Sequence, residues 1–171
     1  MKTIYFITHP EVVIDPTVPV PDWPLSERGI NRMKQLLTQP WVKDVRAIYC
    51  STEQKAIDGA RILADHLALS YEMREDLGEN DRSATGYLPK EEFEATADQF
   101  FAQPDQSVRG WETATAAQQR LVNGMNAIID SGLWPVSPPR HTGHGRRPAR
   151  APKFLRRYEL DIINHLLGKN V

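Results

Sequence analysis

The pattern of apolar and polar positions divides the first 131 residues into alternating strand-like and helix-like segments. Residues 3–7 (Thr-Ile-Tyr-Phe-Ile) are β-branched or aromatic, which predicts a buried first strand. Residues 45–50 (Val-Arg-Ala-Ile-Tyr-Cys) predict a second strand, and Tyr71–Arg74 a short third one. Between them lie two helical stripes. Ile30, Met33, Leu36 and Leu37 follow a candidate cap at Ser26 and end at Pro40. Ala56, Ala60, Leu63 and Leu67 should face the sheet, with Ser51 or Thr52 as the cap. After a polar loop over 76–88, one helix should start beyond Pro89 and carry Phe93, Ala97, Phe100 and Phe101. Another should run from about Trp111 to Ile129, with Ala114, Ala117, Leu121, Met125 and Ile128 on one face. Strand alternating with helix implies an α/β domain, a three-layer sandwich with a mostly parallel central sheet flanked by helices. Trp23, Trp41 and Trp111 read as packing anchors, and His66, late in its helix, as a residue that suits the macrodipole.

The pattern fails after residue 131. Residues 132–158 hold five prolines, seven Lys or Arg and no acid. Proline removes ladder donors, so this run cannot supply a central strand. Charge follows the same boundary. Residues 1–131 carry 13 Lys+Arg against 20 Asp+Glu, a balance of −7, while residues 132–171 carry 8 against 2, a balance of +6. We therefore divide the chain into an α/β domain over 1–131 and an atypical basic segment over 132–171. Tyr158 to Gly168 within it reads as a short amphipathic helix.

Composition adds bounds rather than a function. An apolar fraction of 40% and a charged fraction of 25% are those of a soluble globular protein. A single cysteine, Cys50, permits no internal disulfide, and neither a leader pattern nor a long apolar run is present, so a cytoplasmic location is expected. No motif for a metal, a nucleotide or another cofactor occurs, and none is expected.

The candidate chemistry lies at the ends of the strands, where open α/β sheets place their sites. His9 ends the first, in Ile7-Thr8-His9-Pro10. A loop with three prolines in six residues, Pro16 to Pro21, follows and can wall a pocket. Ser51 ends the second strand, and Lys55 lies in the first turn of the helix after it.

These pieces, in this order, resemble the histidine phosphatase superfamily, the phosphoglycerate-mutase-like group. The resemblance rests on Thr8-His9-Pro10 at the family's Arg-His-Gly, Leu25-Ser26-Glu27-Arg28-Gly29 at its helix start, and Ser51 with Lys55 at its Ser and second Arg. Leu77-Gly78-Glu79 matches its acid loop, and His144-Gly145 its late His-Gly. It covers residues 2–130 in order and spacing. It implies a phosphohydrolase acting on a phosphomonoester or phosphoprotein, with His9 as the nucleophile that becomes phosphorylated. Glu79 would be the general acid, its carboxyl raised by partial burial, and His144 a further catalytic residue. Thr8, Ser51, Lys55 and Arg82 would bind phosphate. Lys55 binds phosphate as a point charge, without the two-pronged geometry of arginine. Arg82 is either a substitute guanidinium or a solvated loop charge. Asp15 falls where many members hold phosphate with Asn, and as an acid it should point elsewhere.

The lead-in to His144, Val136 to Gly143, is not a strand sequence. It is either a divergent tail that brings His141 or His144 to the site, or a stretch translated out of frame from about residue 133; the abrupt change favours the second. The alternative function is an impaired relative that holds a phosphorylated ligand. Basic residues within 140–157 could contact nucleic acid, against the favoured reading of a solvated tail. The family differs mainly in the segment that here spans residues 76–110, which is short and implies an open pocket.

Overall fold

The computed structural model describes residues 3–131. Its elements are α1 (Glu27–Leu36), β1 (Ile48–Cys50), α2 (Gln54–Leu67), β2 (Tyr71–Met73), α3 (Lys90–Ala102) and α4 (Ala114–Asp130), with 3-10 turns at Val20–Asp22, Val42–Asp44 and Glu75–Leu77. The basic segment 132–171, including His141, His144 and the expected helix at 158–168, lies outside the described residues.

β1 and β2 pair in parallel, Ile48 opposite Tyr71 and Cys50 opposite Met73. Parallel neighbours need a crossover, and α2 provides it. Its inner face is the expected one. Ala60, Leu63 and Ala64 are buried with Val42, Ile48 and Cys50, and Ala56, Leu67, Trp41 and Tyr71 pack around them. α2 ends at Ala68 in the left-handed region (φ 54°), which lets Leu69 N–H reach the Ala64 carbonyl. A second cluster joins Phe100, Trp111 and Ala114 with Leu88, Phe93 and Phe101 beneath α3 and α4. Trp23 anchors the proline loop, its indole N–H donating to the carbonyls of Asp15 and Val18.

Three local expectations change. The first segment is not a strand among the described residues. Ile4, Tyr5, Phe6 and Ile7 are each 37–43% exposed. Among the described residues the sheet has only β1 and β2, and residues 3–7 join no ladder. Tyr5 is tied down by its ring instead, stacked on Trp41 at 4.2 Å between centroids. The second strand is also shorter than expected, beginning at Ile48 rather than Val45. Lastly, neither Ser51 nor Thr52 caps α2; the cap position is Glu53, whose side chain does not cap.

The cap of α1 is as expected. Ser26 Oγ accepts from Gly29 N–H at 3.1 Å and donates to the Glu11 carbonyl at 3.1 Å. That carbonyl also accepts from Ser26 N–H at 2.9 Å. The start of α1 thereby holds the segment that follows His9. Among the described residues, no helix is long and apolar enough to cross a membrane.

Candidate active site

Ser51 leaves the carboxyl end of β1 and is buried. Its hydroxyl accepts from Glu53 N–H at 3.3 Å and donates to Glu53 Oε2 at 3.2 Å. This turn aims the Glu53 carboxylate inward. Lys55, in the first turn of α2, is only 2% exposed. A buried ammonium requires partners, and it has two: Glu53 Oε1 at 3.0 Å and Glu79 Oε2 at 3.3 Å.

Glu79 gathers the site. Oε1 meets His9 Nε2 at 2.8 Å, and Oε2 meets Lys55 and Arg82 Nη2, the latter at 3.2 Å. Its backbone N–H donates to Glu53 Oε2 at 3.2 Å. Burial pushes the Glu79 carboxyl up, but the His9 hydrogen bond and the charges of Lys55, Arg82 and His9 outweigh it and hold the group at about 2. That corrects the expected raised carboxyl, and the cause is the company of cations rather than a lack of burial.

His9 is fixed at both nitrogens. Nδ1 lies 2.7 Å from the Pro10 carbonyl oxygen, which can only accept, so Nδ1 carries hydrogen. Nε2 is then the atom turned to the site. A carboxylate oxygen 2.8 Å from Nε2 also only accepts, so one proton lies between His9 and Glu79.

Arg82 is no solvated charge. Its side chain is 20% exposed, bonded to Glu79, with its guanidinium carbon 5.1 Å from the centre of the Phe93 ring. Thr8 makes no hydrogen bond to the cluster among the described residues; it is placed there only by adjacency to His9. Asp15 turns into its own loop, accepting from the Thr17 hydroxyl at 2.7 Å and Thr17 N–H at 2.9 Å. The carboxylate of Glu79 lies directly before His9 Nε2.

Two residues were not anticipated from sequence. Glu53, whose place two residues before Lys55 gave no sign of a role, has a side chain that is 13% exposed and meets three partners. Arg120, on α4, donates to the carbonyls of Asp76, Gly78 and Glu79 and forms a two-pronged pair with Glu112. The only sequence signal for Arg120 was a charge in an otherwise uncharged stretch of helix. Burial tends to raise the Glu112 carboxyl, but the bond from Arg120 leaves it below the usual range. Among the described residues, no group of three or more His, Cys, Asp or Glu stands where it could hold a metal ion.

Residues 4–133 match the model of the histidine phosphatase superfamily, branch 1. No curated protein matches the chain. Among solved structures, a mycobacterial glucosyl-3-phosphoglycerate phosphatase with inorganic phosphate is similar, with a TM-score of 0.60 and 18% identity over 72% of this chain and 61% of that one. Its native form gives 0.61 and 16% over 74% and 63%. Bacillus stearothermophilus YhfR gives 0.52 and 22% over 66% and 58%. The chain thus spans about three fifths of the length of these structures, and the likeness is one of fold.

Proposed function

The chain belongs to the histidine phosphatase superfamily, and from that premise we propose that it is a phosphohydrolase acting on a phosphomonoester through a phosphohistidine on His9. The observation that carries this reading is the His9–Glu79 pair, with Nδ1 tied to Pro10 and one proton between Nε2 and Oε1. The names of the similar structures, phosphatases in two of the three cases, support the same class.

The shared proton orders the steps. An incoming phosphoryl group competes with Glu79 for Lys55 and Arg82. As those cations turn to phosphate oxygens, Glu79 loses the charges that keep it ionised and takes the proton from Nε2. The freed lone pair attacks phosphorus; the P–O bond to the leaving group breaks; Glu79 gives its proton to that oxygen. Water then attacks the phosphoramidate, Glu79 accepts the water's proton, and phosphate leaves with His9 restored. Ser51 and Lys55, with Arg82 and Thr8, bind the phosphoryl oxygens. His144 is proposed as a further catalytic group from the resemblance alone. A phosphorylated small molecule or phosphoprotein is the substrate class.

The test is hydrolysis of an aryl phosphate by the wild type and by His9→Ala, with radiolabelled phosphate trapped on the enzyme by rapid quench. We expect turnover and an acid-labile label that both vanish in His9→Ala. A variant that still hydrolyses the ester would end the phosphohistidine route. One feature favours a second reading: Lys55 is buried between two carboxylates and both family arginines are replaced, as in a domain that holds a phospholigand without turnover. Phosphate binding with neither hydrolysis nor label would establish that reading instead.

A further inference from the structure

Resting on the phosphoryl-site reading above, we propose that Glu53 is an affinity-setting residue, a fixed counter-charge that weakens the pocket's grip on phosphate through Lys55. The geometry is direct. Lys55 is the one buried ammonium of the cluster, and Glu53 Oε1 holds it at 3.0 Å, closer than Glu79 Oε2 at 3.3 Å. Glu79 must leave when a phosphoryl group arrives, because it occupies the donors the phosphoryl group needs. Glu53 has no such freedom. The Glu79 backbone N–H binds its Oε2 and Lys55 its Oε1, so its charge stays beside Lys55 even when the Ser51 hydroxyl turns to a phosphoryl oxygen.

Charge counting gives the consequence. Before any ligand enters, Lys55, Arg82 and the proton shared by His9 and Glu79 face two carboxylates, Glu53 and Glu79. Once Glu79 is displaced and protonated, Glu53 still cancels one of the two cations. A phosphate on Lys55 then lies within a few ångströms of a like charge in a mostly desolvated setting, where repulsion is strong. The binding this removes is felt alike by substrate, inorganic phosphate and transition state, so it acts on KM and product inhibition more than on kcat. A pocket so tempered releases phosphate readily.

The experiment compares wild type, Glu53→Gln and Glu53→Asp, measuring KM and kcat for an aryl phosphate and the inhibition constant of inorganic phosphate. Glu53→Gln keeps an acceptor at this place and removes the charge; phosphate should inhibit about tenfold more tightly and KM should fall, with kcat level or lower. Glu53→Asp keeps the charge and should show no such gain. If Glu53→Gln melts early, Glu53→Met, of like length and equally uncharged, carries the same comparison. A wild type that turns over, with phosphate affinity in the uncharged variants unchanged or weaker, overturns the proposal. A wild type that neither hydrolyses the ester nor binds phosphate by calorimetry overturns the phosphoryl-site reading itself, and this inference with it.

Discussion

Arg120 Nη2 donates to the backbone carbonyl of Glu79 at 2.9 Å. The acid that meets His9 is thus held from behind by a residue 41 positions later in the chain. The same guanidinium reaches the carbonyls of Asp76 and Gly78 and grips Glu112 with two nitrogens, at 2.8 and 3.1 Å. One planar fork satisfies four groups, which an ammonium cannot do. This side chain joins α4 to the Glu79 loop, and Gly124 of α4 packs against Asp76 nearby.

Arg120→Lys should therefore disturb placement more than binding. We expect kcat to fall roughly tenfold with KM nearly unchanged, because Arg120 holds Glu112 and the loop that carries Glu79 but bonds none of the proposed phosphate-binding side chains. Stability should fall by about 1–3 kcal/mol, since carbonyls and a half-buried carboxylate lose their donor. Steady-state kinetics beside urea unfolding separate the two effects. A variant that is less stable but has an unaltered kcat would reduce Arg120 to a structural tie.

Acid should weaken the fold through Glu79. Its ordinary value is 4.5 and the folded protein holds it at about 2, so the folded state binds the proton less readily than the unfolded chain. The contribution is complete above about pH 4.5 and is lost as pH falls toward 2; on the scale of one pKa unit it is worth up to about 3 kcal/mol. Urea midpoints between pH 7 and pH 2.5 should fall more steeply for wild type than for Glu79→Gln. Glu112 and Asp76, also held below their usual range, titrate in both proteins and drop out of the difference. Parallel curves would show that the Glu79 carboxyl is not held down.

Gly29 marks a close approach between α1 and the chain after His9. A Cβ there would land on the Glu11 carbonyl oxygen, which is backbone and cannot swing aside. Alanine normally stabilises a helix interior by about 1 kcal/mol over glycine. Here the overlap should outweigh that gain and cost about 1–3 kcal/mol net, with the Pro10–Val12 segment pushed off Ser26. Gly29→Ala should lower the melting temperature and the turnover together. A rise in melting temperature would mean that the contact is slack.

The sequence alone went a long way along the backbone. Ser26 as a cap, the inward stripe of α2, the short strand at Tyr71 and the two late helices all depend on neighbours within a few residues, and such relations are written in local order. His9, Ser51, Lys55 and Glu79 could be named from their places in that order, and Asp15 could be set aside because like charges repel. The late histidine at 144 could be named only by its place in the resemblance, and it lies outside the described residues. Residues 3–7 misled because a β-rich composition states a readiness to pair, while pairing itself needs an edge supplied from elsewhere in the chain.

What only the tertiary structure decided is the electrostatic state of the site. A carboxyl near a sheet end can be raised by burial or lowered by cations, and sequence position does not say which. His9, the Glu53–Lys55 pair and Arg82 meet Glu79 from three stretches of chain, the farthest 70 residues from it. Sequence determined which chemistry was available. The fold determined that the acid rests ionised, that Glu53 shares its lysine, and that Arg120 holds the loop, because Coulomb and hydrogen-bond energies depend on ångström separations that no one-dimensional pattern encodes.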